Sequence, residues 1–190
     1  MCENGKREQL APVRDVLKAY GVPTYVTIGN HDHLTPTDRV AYEELYPDRL
    51  NYKLEHKGWQ LIGLDTSEGQ KSSGTMVQPH TLKWLDENLP KLSKTKPTMV
   101  FTHFPLGAMT PSRPKNADDA LERFKEFNLQ AVFNGHFHGY TERTFGSATV
   151  TTNRCCALKR NNHDGTKEKG YFVCQAKDGK ITRTFVEIKV

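Results

Sequence analysis

A chain of 190 residues is long enough for one domain with a sizeable hydrophobic core. Its composition, 36% hydrophobic and 26% charged, is that of a globular protein, and no apolar run is long enough to cross a bilayer. Lys and Arg outnumber Asp and Glu by 27 to 22, but the excess is scattered. It mildly favours anionic ligands without forming the aromatic-studded basic stripe of a nucleic-acid binder.

Residues 6–20 put Leu10, Val13, Leu17 and Tyr20 on one helical stripe, and Gly21 with Pro23 ends it. Residues 24–28, Thr-Tyr-Val-Thr-Ile, read as a buried strand that runs into the turn Gly29-Asn30-His31-Asp32. A short helical excursion is expected over 36–46, then a hairpin with strands at 52–54 and 59–64 joined at Lys57-Gly58. Residues 65–74, rich in Ser and Gly, read as a mobile loop. Pro79 opens a second helix with Leu82, Leu85 and Leu89 inward, and Pro90 closes it.

A strand over 98–101 leads into Thr102-His103-Phe104-Pro105 and a proline-bearing loop. A helix over 117–127 turns Leu121, Phe124 and Phe127 inward, and a strand over 130–133 runs into Asn134-Gly135-His136-Phe137-His138. Strand and helix in alternation predict a mostly parallel sheet. Beyond His138, residues 141–145, 148–152, 170–177 and 180–189 read as antiparallel strands, the last two joined by the hairpin turn Asp178-Gly179. The whole of 1–190 reads as one domain built from two stacked sheets, without repeats or linkers.

Three polar segments thus follow three predicted strands. They carry four of the eight histidines, and a fifth, His33, directly follows the first of them. Ligands of open α/β sheets bind at the carboxyl ends of the strands, so these loops point to a common spot. Imidazole there suits a transition metal. His136 and His138 stand two apart, which in extended backbone places both on one face. Gly135 and Gly139 allow a sharp turn beside them.

Taken singly, each segment has a plainer reading. His103 is then a satisfied structural histidine, and Gly29 to Asp32 is turn chemistry with a positive φ at glycine. Taken together, the plain readings lose to a metal site. Among the other polar residues, His33 reads as an exposed loop residue, with substrate contact as the lesser alternative. Asp65-Thr66 reads as structural, and His56, His80 and His163 as surface. Asn161, Asn162 and Asp164 lie in a polar loop able to reach the mouth of the site. Cys2, Cys155, Cys156 and Cys174 form no C-x-x-C pair, and Cys155-Cys156 reads as packing.

The ordered set Gly-Asn-His-Asp, Thr-His and Gly-His-Phe-His resembles the calcineurin-like metallophosphoesterase superfamily. It looks most like the bacterial cyclic-nucleotide and glycerophosphodiester phosphodiesterases. The resemblance extends over nearly the whole chain. It implies an α/β fold of two stacked mixed β-sheets flanked by helices, an α/β/β/α sandwich. It also implies a hydrolase of small phosphate esters, phosphodiesters above all, with two divalent ions of Mn, Fe, Zn or Co. By that resemblance Asn30, His103 and His136 hold one ion and His138 holds the other. A water activated by the ions attacks phosphorus. His31 is the outer-sphere acid near the leaving group, and Asp32 orients it.

Two motifs that the resemblance calls for do not occur. No Asp-x-His precedes Asn30, and Gly-Asp occurs nowhere. Met1-Cys2-Glu3-Asn4-Gly5 matches the tail of the second motif, with Glu3 in its last position. The expectation is a chain that lacks its first strand–helix–strand unit, roughly 30 residues. Alone, it would bind metal weakly and turn over little. The rival expectations are a non-catalytic scaffold or interaction module of the same fold, and a nuclease.

Overall fold

Alternating apolar residues assemble a six-stranded sheet in the order β1-β2-β3-β4-β6-β5. The structure is a computed structural model that describes residues 2–189; Met1, which opens the segment matched to the second motif, lies outside them. The strands are β1 (Tyr52–His56), β2 (Trp59–Leu64), β3 (Thr98–Thr102), β4 (Leu129–Asn134), β5 (Thr141–Phe145) and β6 (Ala148–Thr152). Pairings β2–β3, β3–β4 and β4–β6 are parallel, while β1 and β5 add antiparallel edges. Leu64 lies opposite Thr102, and Phe101 opposite Phe133. The carboxyl ends of β2, β3 and β4 are therefore level, which sets Asp65, His103 and Gly135 along one edge.

One face of this sheet buries Ile62, Leu64, Val100, Val132 and Val150. Against them pack α3 (Pro79–Asn88) and α4 (Ala117–Leu121), through Leu85, Ala117, Ala120 and Leu121. The other face presents Trp59, Met99 and Ala131, and receives Ile181. Ile181 belongs to a second sheet of two strands, β7 (Gly170–Lys177) and β8 (Lys180–Glu187). Positive φ angles at Asp178 and Gly179 let its two-residue turn follow the strand twist, as the sequence predicts. The remaining helices, α1 (Arg7–Ala19) and α2 (Val40–Leu45), enclose Leu10, Ile28, Tyr42, Leu45 and Tyr46.

Several elements differ from expectation. Residues 24–28 join no ladder among the described residues. Both edges of β2 and of β3 are already paired, so this segment is held by side chains: Val26 and Ile28 enter the α1–α2 cluster, and Tyr25 stacks on Tyr52 at 6.0 Å. The second sheet is also smaller than expected, because β6 pairs with β4 and draws β5 into the main sheet. The helix begun at Ala117 ends at Leu121 and tightens into a 3-10 turn, Glu122–Phe124. Cys156 is exposed rather than packed.

Candidate metal centre

The turn after residues 24–28 is a single 3-10 turn, Asn30–Asp32. Asp32 is buried and closes it, its Oδ2 accepting the Gly29 N–H at 2.9 Å. Gly29 has φ −129°, which any residue adopts, so glycine is not needed there for its backbone freedom. It is needed for room, because a Cβ would stand 2.7 Å from the His103 ring. The ring passes over Gly29 to place its Nε2 3.0 Å from the buried Asn30 Oδ1.

His103 is the first residue after β3, and its carbonyl accepts the N–H of Gly135, the first residue after β4, at 2.9 Å. That link brings His136 alongside, its Nδ1 3.2 Å from His103 Nε2. His136 Nε2 meets the Ser72 carbonyl at 2.8 Å. A carbonyl only accepts, so Nε2 carries the proton and the bare Nδ1 faces His103. His31 is fixed in the same manner, its Nδ1 donating to the Glu3 carbonyl at 2.8 Å.

An amide oxygen and two imidazole nitrogens therefore converge. Separations of 3.0 and 3.2 Å are those of neighbouring ligands around an ion with bonds of about 2.1 Å. The donor set suits Zn, Fe, Mn or Co, so these residues fit a metal ion. Among the described residues, no three His, Cys, Asp or Glu side chains gather into a cluster that holds one. The convergence depends on Asn30.

His138 is placed otherwise than the extended reading predicts. Both His136 and His138 have left-handed backbone, φ 62° and 51°, so the segment is a doubly bent turn. Such conformations cost a non-glycine residue roughly 1–3 kcal/mol each and cluster at functional sites. The flanking glycines supply no positive φ. Gly139 supplies space, since a Cβ there would come within 2.7 Å of the Phe137 ring. The His138 ring lies 5.4 Å from that of His163.

Burial pushes the His103 imidazole well below its ordinary range, with the neighbouring His136, His31 and His138 adding to the shift. Burial lowers His136 as well. His138 falls to about 4 through burial, then His163 and Arg160. All three rings are neutral at pH 7, as ligation requires.

Sequence reasoning missed two supports of this turn. His33 is buried, not exposed, and its Nε2 lies 3.0 Å from Ser67 Oγ. The Ser67 hydroxyl donates to Asp65 Oδ1 at 2.5 Å. Asp65 is fully buried and also accepts from Arg39 at 3.0 Å and His80 at 3.2 Å. Burial raises its carboxyl, but the bonds from His80 and Ser67 outweigh that and lower it overall. Residues 65–67 are thus anchored, and Asp65 is structural as expected. The second support is the segment 2–5, where Cys2 Sγ lies 3.1 Å from the His31 carbonyl. A Cβ on Gly5 would stand 2.2 Å from the His33 carbonyl carbon. Only close packing of the folded chain reveals either contact.

Comparison with known proteins gives consistent matches. The family model described as calcineurin-like phosphoesterase matches residues 5–140. A glycerophosphodiester phosphodiesterase GpdQ of Enterobacter lignolyticus is 28% identical over 164 residues, covering 78% of this chain and 56% of that protein. An Arcobacter nitrofigilis protein named "Probable glycerophosphodiester phosphodiesterase GpdQ" is 32% identical over 107 residues, 54% of this chain and 38% of that one. The chain thus spans about half the length, or less, of these curated relatives. A solved Staphylococcus aureus structure, described as a "Putative 5'-Nucleotidase" in complex with alpha-ketoglutarate, aligns at TM-score 0.46 and 13% identity, over 93% of this chain and 39% of that one.

Proposed function

The chain belongs to the calcineurin-like phosphoesterase family, and from that premise we propose that it hydrolyses small phosphate esters, phosphodiesters above all, at a two-metal centre. The observation that carries this reading is the approach of Asn30 Oδ1 and His136 Nδ1 to one nitrogen of His103. Asn30, His103 and His136 would hold one ion and His138 the other, with Mn, Fe, Zn and Co all suited to imidazole and amide donors. When bound, such ions polarise phosphate oxygens and lower the pKa of water.

The chain's own residues do the rest. His31, with its Nδ1–H held by the Glu3 carbonyl, directs Nε2 away from that contact, and in its doubly protonated form the Nε2–H would give a proton to the departing oxygen. Asp32 orients His31 through the turn, by its bond to the Gly29 N–H. The carbonyl of Ser72 keeps His136 Nδ1 bare for the ion.

Neither Asp-x-His nor Gly-Asp is in the sequence, and we take the isolated chain to bind metal weakly and to turn over slowly. The test is bis(p-nitrophenyl) phosphate hydrolysis with Mn²⁺, by this chain and by a version extended through the upstream coding sequence. Fast turnover by the extended protein and slow turnover by this chain are expected. Fast turnover by this chain overturns the incomplete centre, and an inert extended protein overturns the phosphoesterase reading.

A further inference from the structure

A fourth segment, residues 153–169, reaches the same mouth and is fixed on both sides of it. The Asn162 side chain accepts the Cys155 N–H at 2.9 Å and donates to the Glu168 carbonyl at 2.7 Å. Asp164 accepts the N–H groups of Tyr140 and Thr166 at 2.7 and 3.0 Å. Between these two anchors, His163 donates its backbone N–H to the His138 carbonyl at 2.8 Å. Nearer the start of the loop, Arg160 crosses to Glu3, its Nη2 donating to both carboxylate oxygens at 2.6 and 2.7 Å. Asn162 and Asp164 thus spend their polar groups on the shape of the loop, and a carboxylate neutralises Arg160. The His163 side chain is left for other work.

His163 is exposed, as its sequence context suggests, but its ring lies 5.4 Å from that of His138. The His103 and His136 rings are 5.1 Å apart, with facing nitrogens at 3.2 Å. An ion with imidazole bonds of about 2.1 Å and tetrahedral angles sets two ring centres about 5.3 Å apart. The second pair therefore has the spacing of two ligands on one ion, as the first pair has. The pairs differ in what else they touch. His31, His33, His103 and His136 each have a ring nitrogen within hydrogen-bond distance of a protein partner. Among the described residues, no ring nitrogen of His138 or His163 has one. Two neighbouring imidazoles at the mouth thus keep all their nitrogens available.

We propose that His163 is a metal ligand, the second imidazole of the ion site at His138. This assignment rests on the two-metal reading above. It gives the ion that the resemblance leaves to His138 alone a further protein ligand, and it draws that ligand from a loop beyond residues 5–140, the span of the family match.

Long-range ¹H–¹⁵N correlation of the ¹⁵N-labelled chain, titrated with Zn²⁺ at pH 7.5, tests it. The ring nitrogens of His138 and His163 should move along one shared binding curve, since one ion takes both. His163→Phe keeps a ring against His138 but has no donor. Loss of an outer partner of a metal ligand costs about 10- to 100-fold in affinity, so loss of a direct ligand should carry the His138 curve to at least about tenfold higher Zn²⁺. The His103 and His136 curves should stay where they are. Circular dichroism confirms that the variant folds, and if it does not, the wild-type titration decides. A His163 ring that stays still or follows a different curve from His138 overturns the proposal, as does an unchanged His138 curve in folded His163→Phe. The first pair separates the two levels. If His103 and His136 take up zinc while His163 stays still, only this assignment fails; if none of the four rings responds, the metal reading fails with it.

Discussion

The backbone carbonyl of Ser72 lies 2.8 Å from Nε2 of His136 and so decides which nitrogen of that ring is bare. The donor is prepared by a residue 64 positions away, in a loop that contributes no side chain to the converging set. In the metal-free chain, long-range ¹H–¹⁵N correlation should show His136 protonated at Nε2, and added Zn²⁺ should move Nδ1 first. A ring protonated at Nδ1 would contradict the arrangement.

Gly29 makes room for the His103 ring. Gly29→Ala places a methyl 2.7 Å from that ring and forces it off the line to Asn30. Overpacking of this kind costs about 1–3 kcal/mol, and the expected loss of zinc affinity is at least about tenfold. Urea denaturation and zinc calorimetry measure the two effects separately.

Asp65 is the hub that ties β2, α2, α3 and His33 together. Asp65→Ala removes the buried acceptor shared by Arg39, His80 and Ser67, leaving Arg39 its partner Glu43, and should cost about 1–3 kcal/mol. A loss under about 0.5 kcal/mol in chemical denaturation, the range of ordinary surface changes, would show that the hub is not what holds the turn.

Acid should loosen the fold before it titrates the carboxylates. His33, His103, His136 and His138 all have folded pKa values below the ordinary imidazole value, burial being the first cause in each. The unfolded chain therefore binds more protons between about pH 6.5 and the lower folded values, and stability rises with pH across that window. It is fully present above about pH 6.5 and lost as pH falls toward 4, where His138 titrates. Thermal denaturation of the metal-free chain at pH 7.5, 6 and 5 should show a steadily falling Tm.

The left-handed histidines carry a separable backbone cost. At position 138, Gly should be more stable than Ala by about 1 kcal/mol, because Ala keeps the Cβ that crowds a φ of 51°. Equal stability of His138→Gly and His138→Ala would place that strain elsewhere.

The order of strands and helices was legible because each apolar run is bounded by Pro, Gly or a polar turn, as at Pro79 and Pro90. The grouping of the strands was not. Whether residues 148–152 pair with β4 or lie in the other sheet depends on an edge that periodicity does not reveal. The three loops could be found from strand-end placement, and Asn30, His103 and His136 do meet. His33 and Arg160 were hidden for opposite reasons. A loop histidine gives no sign that it will be buried, and an arginine in a polar loop gives no sign that it will cross to residue 3.

Residues 24–28 have a mechanical consequence. Among the described residues, no backbone hydrogen bond connects residues 2–50 with the sheet that follows. The first quarter of the chain docks through side chains: His33 on Ser67, Arg39 on Asp65, Gln70 on the His33 carbonyl, and Asn30 on His103. Such a unit can open on its own while the sheet stays intact, and its amides should exchange ahead of those in β3 and β4. Asn30 and His103 sit on opposite sides of that seam, so the hinge line of the molecule runs through its candidate metal centre. Anything that clasps the two together also latches two foldons into one.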